Sequence, residues 1–209
     1  MYTPSHYAVE DGAAAAFLTQ IQAADLVTVT EDGLRATFLP LLFVPTVGKR
    51  GALHGHMARK NGQWQREPVG EALVIAHGAD AYIHPGWYPS KAEHGRVVPT
   101  WNYTTAHVYG QLVVHDDADW VDQNVRALTA RQERGRDQPW SVDDAPEAFH
   151  AGQLQGIVGV ELLITRIEAK FKMSQNQKDK NIDGVIAGLT QDGYGDVAEL
   201  VERLRPARQ

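Results

Sequence analysis

Two stretches of this 209-residue chain carry side chains whose types and spacing suit chemistry. The first, HGHMARKNGQW (54–64), sets His54 and His56 two residues apart and then runs Arg59, Lys60 and Asn61 in succession. Residues two apart in a strand share a face, so the imidazoles would lie side by side. Paired imidazoles suit a transition metal, but no third ligand follows at a fixed spacing, and His77, His84 and His107 are scattered. Arg59, Lys60 and Asn61 fall just past the strand, where their donors either converge on a phosphate or form a solvated basic turn. The second stretch, YIHPGWYPSKAEHGRVVPTWNYTTAHVYG (82–110), holds six aromatic rings, against a chain-wide aromatic content of 8%. From Trp101 the residues alternate, with Trp101, Tyr103, Thr105, His107 and Tyr109 on one face and Asn102, Thr104, Ala106 and Val108 on the other. Such a face either receives a flat, polar ligand or closes a small core with its polar tips in solvent.

These residues need elements to position them. Asp11 caps an expected helix over 12–24. LVTVT (26–30) and LRATFLPLLFVP (34–45) read as a hairpin around Glu31-Asp32-Gly33, with Pro40 and Pro45 marking an edge or a bulge. ALHGHM follows as a third strand. EALVIAHG (71–78) and AYIH (81–84) read as a hairpin turning at Gly78-Ala79-Asp80, with rigid, Pro-punctuated loop beyond. The strand begun at Trp101 runs through Val114. Helices are expected over 117–133 and near 144–153, and GIVGVELLITRIEAKF (156–171) is one long strand able to close a sheet. In the tail, Ser174-Gln175-Asn176-Gln177 has capping-box spacing and starts an expected helix with Ile182, Val185, Ile186 and Leu189 on one stripe. A last helix spans Asp196 to about Leu204, with Val197, Leu200, Val201 and Leu204 on its buried face. Lys170, Lys172, Lys178 and Lys180 form a dense positive cluster that is either solvated or holds a phosphate or a nucleic-acid backbone. Strand after strand with short turns predicts a mainly β, antiparallel barrel with helical additions. The expected organisation is a single domain over 1–209: helix, barrel and intervening helices over 1–170, then a C-terminal helical extension over 171–209.

Composition narrows the function classes. With no cysteine, disulfides, thiolate catalysis and cysteine–zinc sites are excluded, which fits a cytoplasmic protein. A net charge of −6 argues against a whole surface built for nucleic acid. No apolar run is long enough for a membrane helix, and the opening MYTPSHYAVEDG lacks a signal-peptide pattern. Nucleophile elbows, Walker loops and Gly-x-Gly-x-x-Gly turns are missing.

Several blocks, in order, resemble the PaiB-type family of FMN-binding negative transcriptional regulators. They are MYTPSHY, ATFLPLLF (36–43), HGHMARKNGQW, AYIHPGWYPSK (81–91), VPTWNYTTAHVYG (98–110), GIVGVELLITRIEAKFKMSQN (156–176) and the DGVIAGL beyond. The resemblance implies an FMN-binding split barrel, a six-stranded antiparallel Greek-key barrel with helices packed outside, working as a homodimer with flavin at the subunit interface. It implies that Ala36–Leu41 flanks the isoalloxazine with Thr37 as a hydrogen-bonding group, and that His54 through Asn61, chiefly Arg59 and Lys60, serve the phosphate. It makes Trp101 and Asn102 candidates for lining the ring system. The chain departs from the family pattern at His84 and Gly86, where two hydroxyl contacts are missing, and at Gly62, which replaces a proline. Two other classes remain open: a flavin-dependent oxidoreductase of the split-barrel kind, and a haem- or metal-binding barrel using His54, His56 or His107. Direct DNA contact has the weaker support, because no helix-turn-helix stands out.

Overall fold

A computed structural model describes residues 1–207. The elements in chain order are α1 (Asp11–Gln20), β1 (Ala23–Thr30), β2 (Gly33–Val44), β3 (Ala52–Ala58), β4 (Ala72–Ile83), α2 (Ser90–His94), β5 (Thr100–His115), α3 (Ala118–Glu133), α4 (Glu147–Leu154), β6 (Ile157–Lys172), α5 (Asp179–Gln191) and α6 (Gly195–Arg203). The six strands form a closed barrel in the order β1-β2-β3-β6-β5-β4. The expected mainly β, antiparallel barrel with helical additions is the observed fold.

The chain divides into two compact units. One comprises Asp11–Ala76 and His107–Ile167, and the other Met1–Glu10, His77–Ala106 and the residues from Glu168 onward. In the first, the barrel unit, the β1–β2 hairpin pairs Thr30 with Gly33 at its turn and Ala23 with Pro40 at its far end. Every second residue of β1, namely Ala24, Leu26, Thr28 and Thr30, points inward and is buried. Pro40 sits where the ladder to β1 ends and the ladder to β3 begins at Leu41↔Gly55, so its missing N–H costs neither ladder a bond. The β3–β6 ladder runs from Ala52↔Leu163 to Ala58↔Ile157. In β6, Val158 through Leu162 are buried on both faces, because one face lines the barrel and the other is covered by Trp120 at Gly159 and by His54 and His115 at Glu161. Gly159 is required there: a Cβ would run into the indole of Trp120. Arg131 of α3 donates to the carbonyls of Thr19 (2.8 Å), Ile21 (2.7 Å) and Leu41 (3.1 Å), tying that helix to the end of α1 and to β2.

The second unit has its own core, formed by Ala81, Ile83, Tyr88, Met173, Ile182, Val185, Leu189, Val197, Ala198 and Val201. Helices α5 and α6 supply the apolar stripes expected of the tail. A single 3-10 turn at Pro85–Trp87 lies on α5. Gly184 and Gly188, one helical turn apart, make that seat: a Cβ at Gly184 would collide with the Trp87 carbonyl oxygen, and one at Gly188 with the Trp87 ring.

Two local expectations are corrected. Gly78-Ala79-Asp80 does not turn; β4 continues through it to Ile83, and Gly78 does not take the positive φ that a tight turn would draw from it. Ser174 does not cap a helix: α5 starts at Asp179, its N-cap is Lys178, and the Ser174 hydroxyl is instead paired with Asn102. The loop after Pro85 also holds the short helix α2, which ends in a left-handed Gly95.

The Gly184 contact decides the sign of a substitution. Alanine is favoured over glycine in a helix interior by about 1 kcal/mol, but here overpacking against rigid backbone costs about 2–3 kcal/mol. Gly184→Ala is therefore expected to lower the urea midpoint; a raised midpoint would contradict this seat.

Candidate functional site

The outward face of β3 carries the first cluster. His54 is the register partner of Glu161 on β6, and that pairing brings the His54 Nε2 to 2.9 Å from Glu161 Oε1. From the end of β5, His115 Nε2 stands 2.9 Å from Glu161 Oε2. Each carboxylate oxygen thus accepts from one imidazole, in a setting where Glu161 is only 9% exposed. Asp117 caps α3 by accepting from Trp120 N at 2.8 Å, which places the indole stacked on His115 at 4.0 Å and tilted over His54 at 5.2 Å. His56, two residues along, faces Asn124 of α3, whose Nδ2 is 3.4 Å from His56 Nδ1. The two imidazoles share a face, as their spacing predicts, and each is occupied by a different partner. Among the described residues no group of three or more His, Cys, Asp or Glu is arranged to hold a metal ion.

Just past β3, Arg59 is a clamp. Its Nε donates to Gln155 O at 2.8 Å, and its Nη2 to Asp116 Oδ1 at 2.5 Å and to Ile157 O at 3.1 Å. The Asp116 hydrogen bond raises the guanidinium further above its usual range, and the same bond from Arg59 lowers the Asp116 carboxyl. Lys60 beside it lies in the turn that follows β3. Asn61 turns back into the barrel wall: its Nδ2 donates to Thr37 Oγ1 at 2.8 Å, and Thr37 donates to Gln63 Oε1 at 2.5 Å. Gln63, 2% exposed, closes the network by donating to Leu26 O at 3.1 Å and Thr28 Oγ1 at 3.0 Å. Thr37 and Asn61, twenty-four residues apart, are therefore brought together.

The remaining two candidates belong to the second unit. Trp101 is 54% exposed and meets Tyr82 edge-on at 6.0 Å. Asn102, on the opposite face of β5, is fully buried; its Nδ2 donates to Ser174 Oγ at 3.0 Å, and Ser174 Oγ donates back to Asn102 Oδ1 at 3.2 Å. Asn102, Thr104, Ala106 and Val108 are buried as the expected alternation of β5 has it, but Thr105 on the other face is buried as well. Sequence reasoning assigns no role to Gln63, Glu161, His115 or Trp120. Gln63 has one local signal: an amide two residues after Asn61, in a turn, where side-chain amides bond backbone readily. The others are visible only once β3, β5 and β6 are in register.

The six strands, closed in one antiparallel barrel with helices outside, have the split-barrel fold. Three solved structures show the likeness in fold: a flavocytochrome Anf3 from Azotobacter vinelandii (TM-score 0.55, 9% identity, 79% of this chain and 69% of that one); the conserved hypothetical protein Rv2991 from Mycobacterium tuberculosis (0.55, 10%, 85% and 94%); and an FAD and heme binding protein from Mycobacterium smegmatis (0.53, 16%, 80% and 74%). Residues 1–166 match the family described as "Putative FMN-binding domain", and the chain belongs to that family. Among its relatives is the protease synthase and sporulation protein PAI 2 of Bacillus subtilis, 29% identical over 204 residues, covering 97% of this chain and 95% of that one. An uncharacterized protein of Emericella nidulans is 32% identical over 170 residues, 68% of each chain.

Burial lowers the His56 imidazole below its usual range. The unfolded chain then takes up that proton at a higher pH than the folded one, so stability from neutral His56 is present above about pH 6.5 and falls as the pH drops through the lowered value. His56→Gln is expected to flatten urea midpoints across the acid side of that window, and an unchanged slope would contradict it. Glu161→Ala strands two half-buried imidazoles and is expected to cost about 2–3 kcal/mol, against about 1 kcal/mol for Glu161→Gln, which keeps an acceptor. Equal losses in chemical denaturation would show that the bridge contributes nothing.

Proposed function

We propose that the barrel unit binds FMN at the interface of a homodimer, and that the dimer acts in the cytoplasm as a PaiB-like negative regulator of transcription. The observation that carries the flavin reading is the match of residues 1–166 to an FMN-binding family, joined to a barrel whose β3 ends in Arg59, Lys60 and Asn61.

The residues present fit the group. Arg59 already binds an anion, the Asp116 carboxylate, in an exposed pair. Exposed pairs contribute little to stability, so a phosphate dianion can take Asp116's place on the guanidinium. Lys60 stands beside it, and the Thr37–Asn61–Gln63 network fixes the turn that presents both cations. Bound there, FMN would supply hydride chemistry, while the chain would bind and orient it.

The homodimer reading is supported by the outer face of the β1–β2 hairpin. Its register sets Asp25 beside Phe38, Val27 beside Ala36 and Val29 beside Leu34, and on the β4 side Val27 beside Leu73. Phe38 is 70% and Leu34 75% exposed, with Val29 and Val69 exposed next to them. A largely apolar sheet face of this kind, with Asp25 as a charged member beside Phe38, suits a second copy of the same chain, and a flat isoalloxazine along Ala36–Leu41 would extend it. The regulatory part rests on the family resemblance. With a net charge of −6, action through a partner is favoured over broad DNA contact.

Purified protein titrated with FMN is expected to show a perturbed flavin band near ~450 nm, and Arg59→Ala to weaken binding by about tenfold. Equal affinity removes Arg59 from the phosphate site. Sedimentation of Phe38→Asp is expected to shift dimer to monomer; a monomeric wild type, or a dimeric variant, would overturn the assigned interface. A salt-sensitive shift of specific DNA would add direct action, and no shift at low salt would remove it.

A further inference from the structure

The positive cluster in the tail resolves into cations with different tasks. Lys180 is paired with Glu93, and Lys170 lies over the Tyr103 ring at 5.3 Å and donates to Tyr2 O at 3.3 Å. Lys172 and Lys178 instead line a cavity of about 390 Å³ within the second unit. Arg96 and His94 join them, and no carboxylate is among the lining residues. In a chain carrying a net −6, that is a strong local bias toward an anion.

The cavity is built rather than incidental. Asn102 and Ser174, 0% and 3% exposed, hold each other in its wall. Asn181, 5% exposed, accepts from Ser90 Oγ at 2.9 Å and donates to Gln177 Oε1 at 3.0 Å. Ser174 is the one non-glycine residue at positive φ (64°) among the described residues. That conformation costs on the order of 1 kcal/mol or more, and it persists because the turn is fixed from both sides. Gln175 Oε1 accepts from Met173 N at 2.7 Å, and its Nε2 donates to Phe171 O at 2.7 Å. Lys172 Nζ is held by Thr100 Oγ1 at 2.6 Å and by the Trp101 carbonyl, both neutral. Burial, and then the charge of Lys170, lowers its ammonium below the usual range. Among the described residues both of its hydrogen-bond partners are neutral oxygens, with no carboxylate paired to it.

We infer that this cavity, walled by Asn102, Ser174 and Asn181 and charged by Lys172, Lys178 and Arg96, is a second anion site that takes a small phosphate monoester or free phosphate. Buried amides and hydroxyls in a recess of this size select a compact ligand. A nucleic-acid backbone would instead call for an exposed basic track. The site shares no residue with the flavin phosphate position proposed above at Arg59 and Lys60, and an occupant here would order the turn from Met173 to Lys178 at the start of α5. It is suited to an effector.

The test is calorimetry on the full chain, FMN-free and FMN-saturated, with inorganic phosphate and with glycerol 3-phosphate as probes. One site per chain is expected, present in both flavin states, with affinity falling as salt rises. Tighter binding of glycerol 3-phosphate would name the monoester as occupant, and equal binding would name free phosphate. Lys172→Met is expected to weaken binding by about tenfold or more, and Arg96→Gln with Lys178→Gln together by a similar factor. Arg59→Ala should leave it unchanged. Should Lys172→Met fail to fold, the Arg96/Lys178 pair decides alone, since both side chains are exposed. Absence of binding at ~50 mM phosphate, equal affinity in all variants, or binding of an oligonucleotide alone would overturn the inference. So would loss of FMN binding in Lys172→Met but not in Arg59→Ala, because the cavity would then be the flavin's own.

Discussion

Everything in the barrel unit depends on one pairing, that of β3 with β6. A sheet of six strands left open would present two edges of unpaired backbone, and β6 removes them by pairing with β3 and standing next to β5 in the closed order. Its run from Val158 to Leu162 is buried on both faces, which a strand tolerates only when something packs over its outer side. Helix α3 does so, through Trp120 over Gly159. The same register puts Glu161 opposite His54, so the one carboxylate in that apolar run is met by two imidazoles. Closure and the polar bridge are consequences of a single alignment, and a slip by one residue would turn Glu161 inward.

Cations divide by what they touch. Arg131 and Arg59 spend their donors on backbone carbonyls that strand ends and helix ends leave open, which is a structural use of a planar, five-donor group. Arg59 differs in keeping one exposed carboxylate, exchangeable for another anion. Among the described residues, Lys172 is held only by neutral oxygens. Those differences, more than the number of basic residues, separate clamps from candidate anion sites in a chain that is acidic as a whole.

Much of the fold is legible in the sequence because strand alternation and turn chemistry are local. The β1–β2 hairpin, β3, β5, the long β6 and helices α3, α5 and α6 all follow from patterns within their own residues. The failures have local causes too. Gly78 permits a turn without requiring one, and here the ladder continues through it. Ser174 has the right neighbours for a capping box, but Asn102, seventy-two residues away, holds its hydroxyl. The candidate site is less legible, since residue types are visible and partners are not. Thr37 and Asn61 do meet, whereas Arg59 is engaged by Asp116, fifty-seven residues on, and His54 by Glu161, one hundred and seven residues on. Gln63, which locks Thr37 and Asn61 in place, carries no pattern beyond a polar turn.

The central claim is that the barrel unit receives a phosphorylated flavin with its phosphate where β3 ends. The most direct measurement is a crystal structure of the protein grown with FMN. Two chains are expected to meet across the β1–β2 face, with the flavin phosphate within hydrogen-bonding distance of Arg59 or Lys60. A flavin phosphate seated on other residues, or a β1–β2 face left open to solvent, would contradict it.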